Sequence, residues 1–329
     1  MVQVSIIIPC LNEERTISKL LQAILLQDFP LDEMEVIVAD GLSIDRTRER
    51  ILDFQKEHRE PAIRIIDNPS RSIPTGLNLA LNSASGDYII RLDAHCVPKP
   101  DYVSKCITAL QANRGWNVGG VWEIQPGAEG WMAESIAIAA SLPLGVGDAF
   151  YRFTDRAREV DTVPFGAFRR DLITKIGGFD EKLQSNEDYE FNTRIRLAGG
   201  KVWLDPTIRA IYFARPSLSQ LVRQYARYGY WKARMLRRYP RTIRLRQALP
   251  PLFVFSLIAL SLISLALPWA LWVLLFEVVS YLVILFSAGL RKALEHRKVQ
   301  FILGIPLAIA AMHLSWGTAF LLSFLSPGN

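Results

Sequence analysis

Residues 88–95 read YIIRLDAH, an apolar run of strand length that ends in an aspartate and a histidine. Similar apolar runs come before it, and a stretch with helical spacing follows each; the runs are 4–8, 36–38 and 63–66, and the helical stretches are 14–27, 45–58 and 74–82. Short β-branched runs that alternate with helices are typical of a parallel sheet with helices on both faces. The chain up to about residue 215 is therefore predicted to be an α/β domain.

In sheets of this kind, ligands bind beyond the carboxyl ends of the strands. The polar segments that follow three of the predicted strands are Pro9–Glu13, Asp40–Asp45 and Asp93–Cys96. Because parallel strands end at the same edge, these segments should share one rim. The side chains predicted to bind a donor molecule at this rim are Pro9, Asn12, Glu13, Asp40 and Asp93.

Two of these segments carry carboxylates with more than one interpretation. An Asp-x-His pair at a strand end, here Asp93 and His95, can hold a divalent cation, although a turn with a capping aspartate is the simpler alternative. Such a cation offsets the negative charge of a departing diphosphate. Asp40 can accept hydrogen bonds from a base or a ribose, whereas Ser43 or Asp45 can serve as a helix cap.

A third acidic segment lies farther along the chain. Ser185–Asp188 reads SNED and fits a capping box at the start of a helix. A carboxylate fixed at a helix start also suits a general base that faces a pocket. Sequence spacing leaves both roles open for Asp188.

Composition points to a membrane. Hydrophobic residues make up 50% of the 329 residues, charged residues only 21%, and the net charge is +6. No acidic residue occurs from Pro206 to Gln247, directly before long apolar runs, so the basic segment suits a membrane surface and no nucleic-acid motif is found. Three cysteines without CxxC spacing indicate free thiols in a reducing compartment. The N-terminus lacks a charged n-region, so no signal peptide is expected and the first domain is predicted to be cytosolic.

The last third of the chain divides into a basic helix and apolar spans. Five arginines from Arg223 to Arg241 follow helical spacing, as expected of an interfacial helix within 216–247; packing on the α/β domain is the alternative. Three spans are predicted within 248–325, at about 249–267, 269–289 and 300–324, with a turn at Pro268. The basic flanks place the α/β domain in the cytoplasm and the C-terminus outside. Glu277 and His313 are predicted to pair within the membrane.

Several ordered motifs resemble those of family 2 glycosyltransferases of the GT-A, nucleotide-diphospho-sugar transferase-like fold. They are Ser5–Glu13, Asp40–Asp45, Asp93–His95, Gly177–Glu181 and Glu187–Asp188, spread over roughly residues 1–240. The triplet and the short membrane tail look most like the succinoglycan-biosynthesis branch. The resemblance implies that Asp40 contacts the nucleobase, Asp93 the ribose or diphosphate, and His95 the metal. It also implies that Asp188 is the catalytic base.

A further segment resembles the Gln-x-x-Arg-Trp motif of polymerising family members. Gln224, Arg227 and Tyr228 match it, with tyrosine in place of tryptophan, and together with Glu187 they are the predicted acceptor-side residues. The tyrosine and the small number of spans depart from the pattern of processive enzymes. The neutral imidazole ligand favours Mn²⁺ over Mg²⁺ as the divalent cofactor.

These observations predict an integral membrane protein of a bacterial plasma membrane. Its expected reaction is an inverting transfer of a sugar from a nucleotide-sugar donor to a polyprenyl-diphosphate-linked saccharide in exopolysaccharide biosynthesis. Two alternatives stay open. One is a polyprenyl-phosphate sugar synthase, whose phosphate acceptor needs no strong base. The other is a non-catalytic membrane scaffold with a degenerate nucleotide-binding domain.

Overall fold

A computed structural model describes residues 1–326, and Pro327–Asn329 lie outside the described residues. The first part of the chain alternates strands and helices as the sequence predicts: β1 Val4–Cys10, α1 Ile17–Leu25, β2 Met34–Asp40, α2 Thr47–Glu57, β3 Ala62–Asp67, α3 Ile73–Ser83 and β4 Tyr88–Arg91. The chain continues with β5 Cys96–Pro98, α4 Tyr102–Gln111, β6 Asn117–Gln125, α5 Trp131–Ser141, α6 Pro143–Val146, β7 Arg158–Glu159, β8 Ala167–Arg169, α7 Leu172–Ile176, α8 Glu187–Leu197 and β9 Val202–Phe213. The last helices are α9 Leu218–Arg238, α10 Leu245–Ser264, α11 Pro268–His296 and α12 Phe301–Leu325.

The strands form one mixed sheet. Within the described residues its order is β3-β2-β1-β4-β8-β6-β9-β5, and β7 pairs with β9. The first four strands are parallel, as predicted. Beyond β4 the sheet is mixed, because β8 pairs antiparallel with both β4 and β6. Strand β8 has only three residues, which is too short to leave a strand pattern in the sequence.

Two compact units share the chain. The first comprises residues 1–123 and 150–212, and the second comprises residues 124–149 and the chain from Phe213 onward. In the first unit, one core cluster includes Ile7 and Ile37 of the parallel strands together with Phe168 of β8 and Phe191 of α8. These side chains bury one face of the sheet under helices and fix the strand ends that carry the polar segments.

In the second unit, α10, α11 and α12 are long and apolar enough to cross a membrane. They confirm the prediction of three apolar helices, and α11 begins at Pro268 as expected from the turn signal. Helix α11 is longer than the predicted span 269–289, because Arg291 and Lys292 continue it, and it ends only where Arg297 adopts a left-handed conformation (φ 56°). The helix persists because nothing before Arg297 breaks it.

Two further expectations for this unit need correction. Glu277 accepts a hydrogen bond from the Ser256 hydroxyl (2.5 Å), and His313 Nδ1 contacts the Tyr281 hydroxyl (3.1 Å). The predicted Glu277–His313 pair is therefore wrong, because each side chain meets a polar partner on a different helix. Arg241 lies beyond the end of α9, in a 3-10 turn, and so leaves the predicted helical face.

Candidate active site

The carboxyl ends of β1, β2 and β4 lie side by side. Cys10 pairs with Asp40 across β1 and β2, and Ile7 pairs with Arg91 across β1 and β4. The loops after β1 and β2 are tied together by Asn12, whose backbone N–H donates to the Ser43 hydroxyl at 2.8 Å. The Asn12 side-chain oxygen accepts from the backbone of Ile44 at 2.9 Å. The predicted rim therefore exists, and Asn12 helps to hold it together.

Asp40 is fully buried at the end of β2. Its carboxylate accepts hydrogen bonds from the hydroxyl (2.5 Å) and backbone N–H (3.1 Å) of Ser43, and it pairs with Arg48 at 2.9 Å. Arg48 also pairs with Asp67 at the end of β3. Contact between Asp40 and a nucleobase stays a prediction. In the structure, Asp40 shapes the loop and positions a guanidinium group on the rim.

Glu13 and His95 bring the first and fourth strand ends together. His95 Nδ1 lies 3.1 Å from the Glu13 carboxylate, and both side chains are partly exposed. Burial alone would raise the pKa of Glu13, but the hydrogen bond and charge of His95, with the Thr16 hydroxyl, lower it. When Nδ1 carries the proton that Glu13 accepts, the ring lone pair lies on Nε2. Pro9, half-buried near the end of β1, lies on the same rim.

Asp93 and His95 are the predicted metal ligands. Among residues 1–326, no group of three or more His, Cys, Asp or Glu side chains could hold a metal ion. Two protein ligands suit a cation that takes its other ligands from a diphosphate and water. The Glu13–His95 contact also matches the outer contacts of metal-binding imidazoles. The residues present therefore fit a divalent cation that is held jointly with a nucleotide.

A buried arginine connects this rim to the predicted base. Arg91, at the end of β4, donates to Glu187 (2.8 Å) and Asp93 (3.1 Å) through Nη2. Its side chain is only 6% exposed, and its Nε and Nη1 atoms are buried without a hydrogen-bond partner among residues 1–326. Although burial opposes the charge, Asp93, Glu187 and Asp188 hold the pKa of Arg91 above its usual range. Arg91 therefore brings one fixed positive charge to three carboxylates.

Asp188 does not belong to a capping box. Helix α8 begins at Glu187 after Asn186, which adopts a left-handed conformation (φ 65°) and makes no side-chain cap bond. Asp188 instead accepts from the backbone N–H of Tyr189 at 2.7 Å, a donor in the first turn of the helix. The capping-box alternative is wrong for this geometry, while the role of Asp188 as a base stays a prediction.

The electrostatic environment of Asp188 is unusual for a carboxylate. Burial, followed by the neighbouring charge of Glu187, raises the pKa of Asp188 to about 7, against the lowering effect of Arg91. Asp188 nevertheless keeps part of its side chain exposed. A carboxyl group with a pKa near the working pH can accept a proton from a bound hydroxyl and release it afterwards.

The remaining predicted acceptor residues lie on α9, in the second unit. Gln224 is buried and donates to the Tyr228 hydroxyl at 3.0 Å, and Arg227 is exposed. Glu187 lies in the first unit and is buried against Arg91. The contribution of Gln224, Arg227 and Tyr228 to acceptor binding stays a prediction.

Sequence reasoning missed Arg91 and Arg48 as parts of this site. A signal existed for Arg91, since a charged residue between Ile90 and Leu92 interrupts an otherwise apolar strand. It also missed a stack of Trp122 on Tyr212 (ring centroids 4.0 Å apart), which continues to His95 (6.3 Å from Tyr212). These aromatic residues are far apart in sequence and carry no local pattern.

The sheet order and the acidic rim define a nucleotide-sugar transferase-like fold of the GT-A type. The chain belongs to glycosyl transferase family 2, whose family model matches residues 5–177, and it is a glycosyltransferase. A glucuronosyltransferase of Methanococcus voltae, named for its dolichyl N-acetyl-α-D-glucosaminyl phosphate acceptor, is 31% identical over 71% of this chain and 74% of its own length. The succinoglycan biosynthesis protein ExoA of Rhizobium meliloti is 29% identical over 96% of this chain and 93% of its own length.

Solved structures share the fold. The mannosyltransferase PcManGT of Pyrobaculum calidifontis, in complex with GDP-Man and Mn²⁺, superposes with a TM-score of 0.57 at 22% identity, over 94% of this chain and 87% of that chain. Residues 1–349 of S. aureus TarS, in complex with UDP, give a TM-score of 0.51 at 16% identity, over 94% and 91% of the two chains. The expected family and fold are confirmed.

Proposed function

We propose that this glycosyltransferase is an inverting enzyme that moves a sugar from a nucleotide-sugar donor to a lipid-linked saccharide at a bacterial plasma membrane, in exopolysaccharide synthesis. The observation that carries the proposal is the hydrogen-bonded bridge from Asp93 on the donor rim through Arg91 to Glu187. Asp188 follows directly on Glu187 and is half-buried, and burial raises its pKa to about 7.

The reaction is a single displacement at the anomeric carbon. Asp188 takes the proton from an acceptor hydroxyl as its oxygen forms a bond to the anomeric carbon, and the bond from that carbon to the diphosphate oxygen breaks. Attack from the opposite face converts an α-linked donor into a β-linked product. The proton rests on Asp188 until it passes to water, and the nucleoside diphosphate leaves.

The donor is held at the rim formed by the loops after β1, β2 and β4. A divalent cation bound by Asp93 and His95 would offset the charge of the departing diphosphate. Glu13 orients His95 for that role, and Asp40 holds both Ser43 in the loop after β2 and Arg48 in the first turn of α2. The solved relatives bind GDP-Man or UDP, which supports a nucleotide-sugar donor for this chain.

A lipid-linked acceptor is supported by the relatives and by the chain itself. The Methanococcus relative is named for a dolichyl-phosphate-linked sugar acceptor, and ExoA is named for polysaccharide synthesis. The chain runs from β9 directly into the basic helix α9 and three apolar helices, which tether it to a membrane. We propose that the chain divides into a catalytic part (residues 1–215), a basic interfacial part (216–247) and an apolar membrane anchor (248–325).

The test is transfer by the full-length enzyme in detergent, with Mn²⁺, a panel of radiolabelled UDP- and GDP-sugars, and lipid extract from bacterial membranes. We expect one donor to place label in the lipid fraction, in a β-linkage to a saccharide, and the Asp188→Asn variant to lose this transfer. Donor hydrolysis without any transfer to lipid would overturn the proposal.

A second set of assays distinguishes the proposed function from the polyprenyl-phosphate sugar synthase alternative. The same assay is run with polyprenyl phosphate as the only acceptor and then with a polyprenyl-diphosphate-linked sugar. Transfer to the bare phosphate that survives in Asp188→Asn would favour the synthase, because a phosphate oxygen needs no strong base. Transfer restricted to the linked sugar, and lost in the variant, is the result we expect.

A further inference from the structure

Helices α9 and α12 run side by side in the same direction. The matching contacts are Gly229 with Trp316, Ala233 with Phe320, and Arg237 with Ser323. Each step of about four residues along α9 is matched by a step of three to four along α12, so the two helices stay level over this length. At Gly229 the approach is so close that an added Cβ atom would lie 2.3 Å from the backbone oxygen of Trp316.

Helix α12 crosses α10 at one point close to the first turns of α10. The Trp316 indole N–H donates to the backbone oxygen of Gln247 at 3.3 Å. A Cβ atom on the neighbouring Gly317 would lie 2.4 Å from the Pro250 oxygen and 2.8 Å from Val254. Residues from two turns of α10 therefore contact residues from a single turn of α12. If the two helices were parallel, equal lengths of each would be in contact. The unequal lengths indicate that α12 crosses α10 at a steep angle.

The position of this crossing shows how far α12 rises along the α10–α11 pair. Those two helices are antiparallel, since Ser256 meets Glu277 and Phe253 meets Tyr281. If this residue pairing continues along both helices, Gly289 of α11 lies opposite the first residue of α10. Gly289 also contacts the backbone of Phe301 at the start of α12. An upright α12 would rise about 18 Å from Phe301 to His313. His313 contacts Tyr281, which is level with Phe253 and so lies only about 12 Å along α10. Trp316 and Gly317, farther along α12, still meet the stretch of α10 between Gln247 and Val254, so α12 rises much less than its own length.

Helix α12 is also more buried within the protein than α10 and α11 are. Of the most apolar stretch of each helix, 39% is buried in α12, against 17% in α10 and 11% in α11. Part of the cover on α12 is the basic helix α9, which presents Arg223, Arg227 and Arg238 on its exposed side. Each such charge costs roughly 2.5–3.5 kcal/mol at the centre of a bilayer. Helix α9 therefore stays at the membrane surface, and α12 runs level with it.

We infer that only α10 and α11 cross the membrane, and that α9 and α12 lie together at the boundary between headgroups and acyl chains of one leaflet, with the exposed leucines of α12 toward the acyl chains. The basic side of α9 suits a leaflet rich in acidic lipids. The end of α12 at Ser326 then stays on the same side as α9. This differs from the sequence-based expectation of three spans with the C-terminus outside, and it does not depend on the identity of the sugar or the acceptor.

Reporter fusions to the full-length protein in bacterial cells test the arrangement. Green fluorescent protein, which folds in the cytoplasm, and alkaline phosphatase, which is active only outside, are fused after Asn329 in separate strains. We expect fluorescence and no phosphatase activity. Phosphatase inserted at Ala266, in the turn between α10 and α11, should be active under either topology and serves as the matched control. An active phosphatase after Asn329 would overturn the inference.

A second measurement keeps the test decisive if a fusion disturbs folding. The Ser326→Cys and Ala266→Cys variants are treated in intact spheroplasts with a maleimide reagent that cannot cross membranes. The three native cysteines are buried, so the background is low. Labelling at position 266 but not at 326, with labelling at 326 after lysis, supports two spans. Labelling at 326 in intact spheroplasts would establish a third crossing.

Discussion

The guanidinium group of Arg91 donates a hydrogen bond to the carboxylate of Glu187 at 2.8 Å, which joins the end of β4 to the first residue of α8. The same Nη2 atom reaches Asp93 at 3.1 Å. One buried cation therefore connects the donor rim to the helix that carries the proposed base. Its charge also lowers the pKa of Asp188 against the effects of burial and Glu187.

The Arg91→Lys substitution keeps the positive charge but should change the position and the pKa of Asp188. An ammonium group cannot bridge Glu187 and Asp93 as a guanidinium does, so Asp188 should be less well placed and its pKa higher. We expect kcat to fall by about 10²-fold and the midpoint of the kcat–pH profile to move upward. Arg64→Lys, at the Arg64–Glu35 pair (2.6 Å), is the matched control. An unchanged midpoint in Arg91→Lys would refute the positioning role.

Asp188→Asn should abolish chemistry while leaving the fold intact. The amide keeps the size of the side chain and an oxygen for the Tyr189 N–H, but it cannot take up a proton at neutral pH. Loss of a general base reduces the rate by about 10²–10⁴-fold. Turnover and donor affinity are measured together, with the exposed Asp171→Asn as control. Near-wild-type turnover would remove Asp188 from the mechanism.

The pH dependence of the wild-type rate follows from the raised pKa of Asp188. The base must be ionised, so kcat should be half-maximal near pH 7 and fall about tenfold for each unit well below that value. A carboxyl group with an ordinary pKa would give a flat profile above pH 5. A flat profile from pH 5 to 8, with substrate saturation verified at each pH, would contradict the assignment.

The raised pKa of Asp188 also makes the stability of the fold depend on pH. Because the folded-state pKa of Asp188 lies above its unfolded value, its contribution to stability is complete only at acid pH and is lost as pH rises through about 7. Asp188→Asn carries no such charge. The variant should therefore melt at a higher temperature than wild type at pH 8, with a smaller difference at pH 5. A lower melting temperature at pH 8 would show that the carboxylate stabilises the fold.

Metal dependence is tested through Glu13, which contacts His95. EDTA should abolish turnover, and Mn²⁺ should restore it. Glu13→Gln should weaken Mn²⁺ binding in the presence of the donor by about 10–100-fold, as seen for outer contacts of metal ligands. Binding is read from the electron paramagnetic resonance signal of free Mn²⁺ as well as from activity. Glu14→Gln is the matched control, and full activity in EDTA would exclude a metal-dependent reaction.

Gly229→Leu tests the pairing of α9 with α12. A Cβ atom at Gly229 would meet the Trp316 backbone at 2.3 Å, so a larger side chain must push the helices apart. We expect a loss of about 1–3 kcal/mol in the free energy of unfolding, measured in detergent with urea. Val222→Ala, on the exposed side of α9, should change stability little. Equal stabilities of the two variants would show that the helices separate freely.

Local sequence patterns predict the four parallel strands, the acidic rim, the segment with Asp188 and the apolar helices with their turn at Pro268. Each of these depends on a local pattern: alternating apolar runs, polar residues at strand ends, or a proline between two apolar stretches. The resemblance to family 2 rested on the same short motifs. The free, buried state of all three cysteines also agrees with their spacing.

The antiparallel half of the sheet, the Arg91–Glu187 bond and the pairing of α9 with α12 could not be predicted from these patterns. Arg91 and Glu187 are 96 positions apart, and Gly229 meets Trp316 across two intervening helices. Such contacts leave no periodicity in the chain, because they depend on how far each element packs along another. The raised pKa of Asp188 could not be predicted from the sequence either. It depends on burial and on neighbouring charges, which arise only when distant segments of the chain come together.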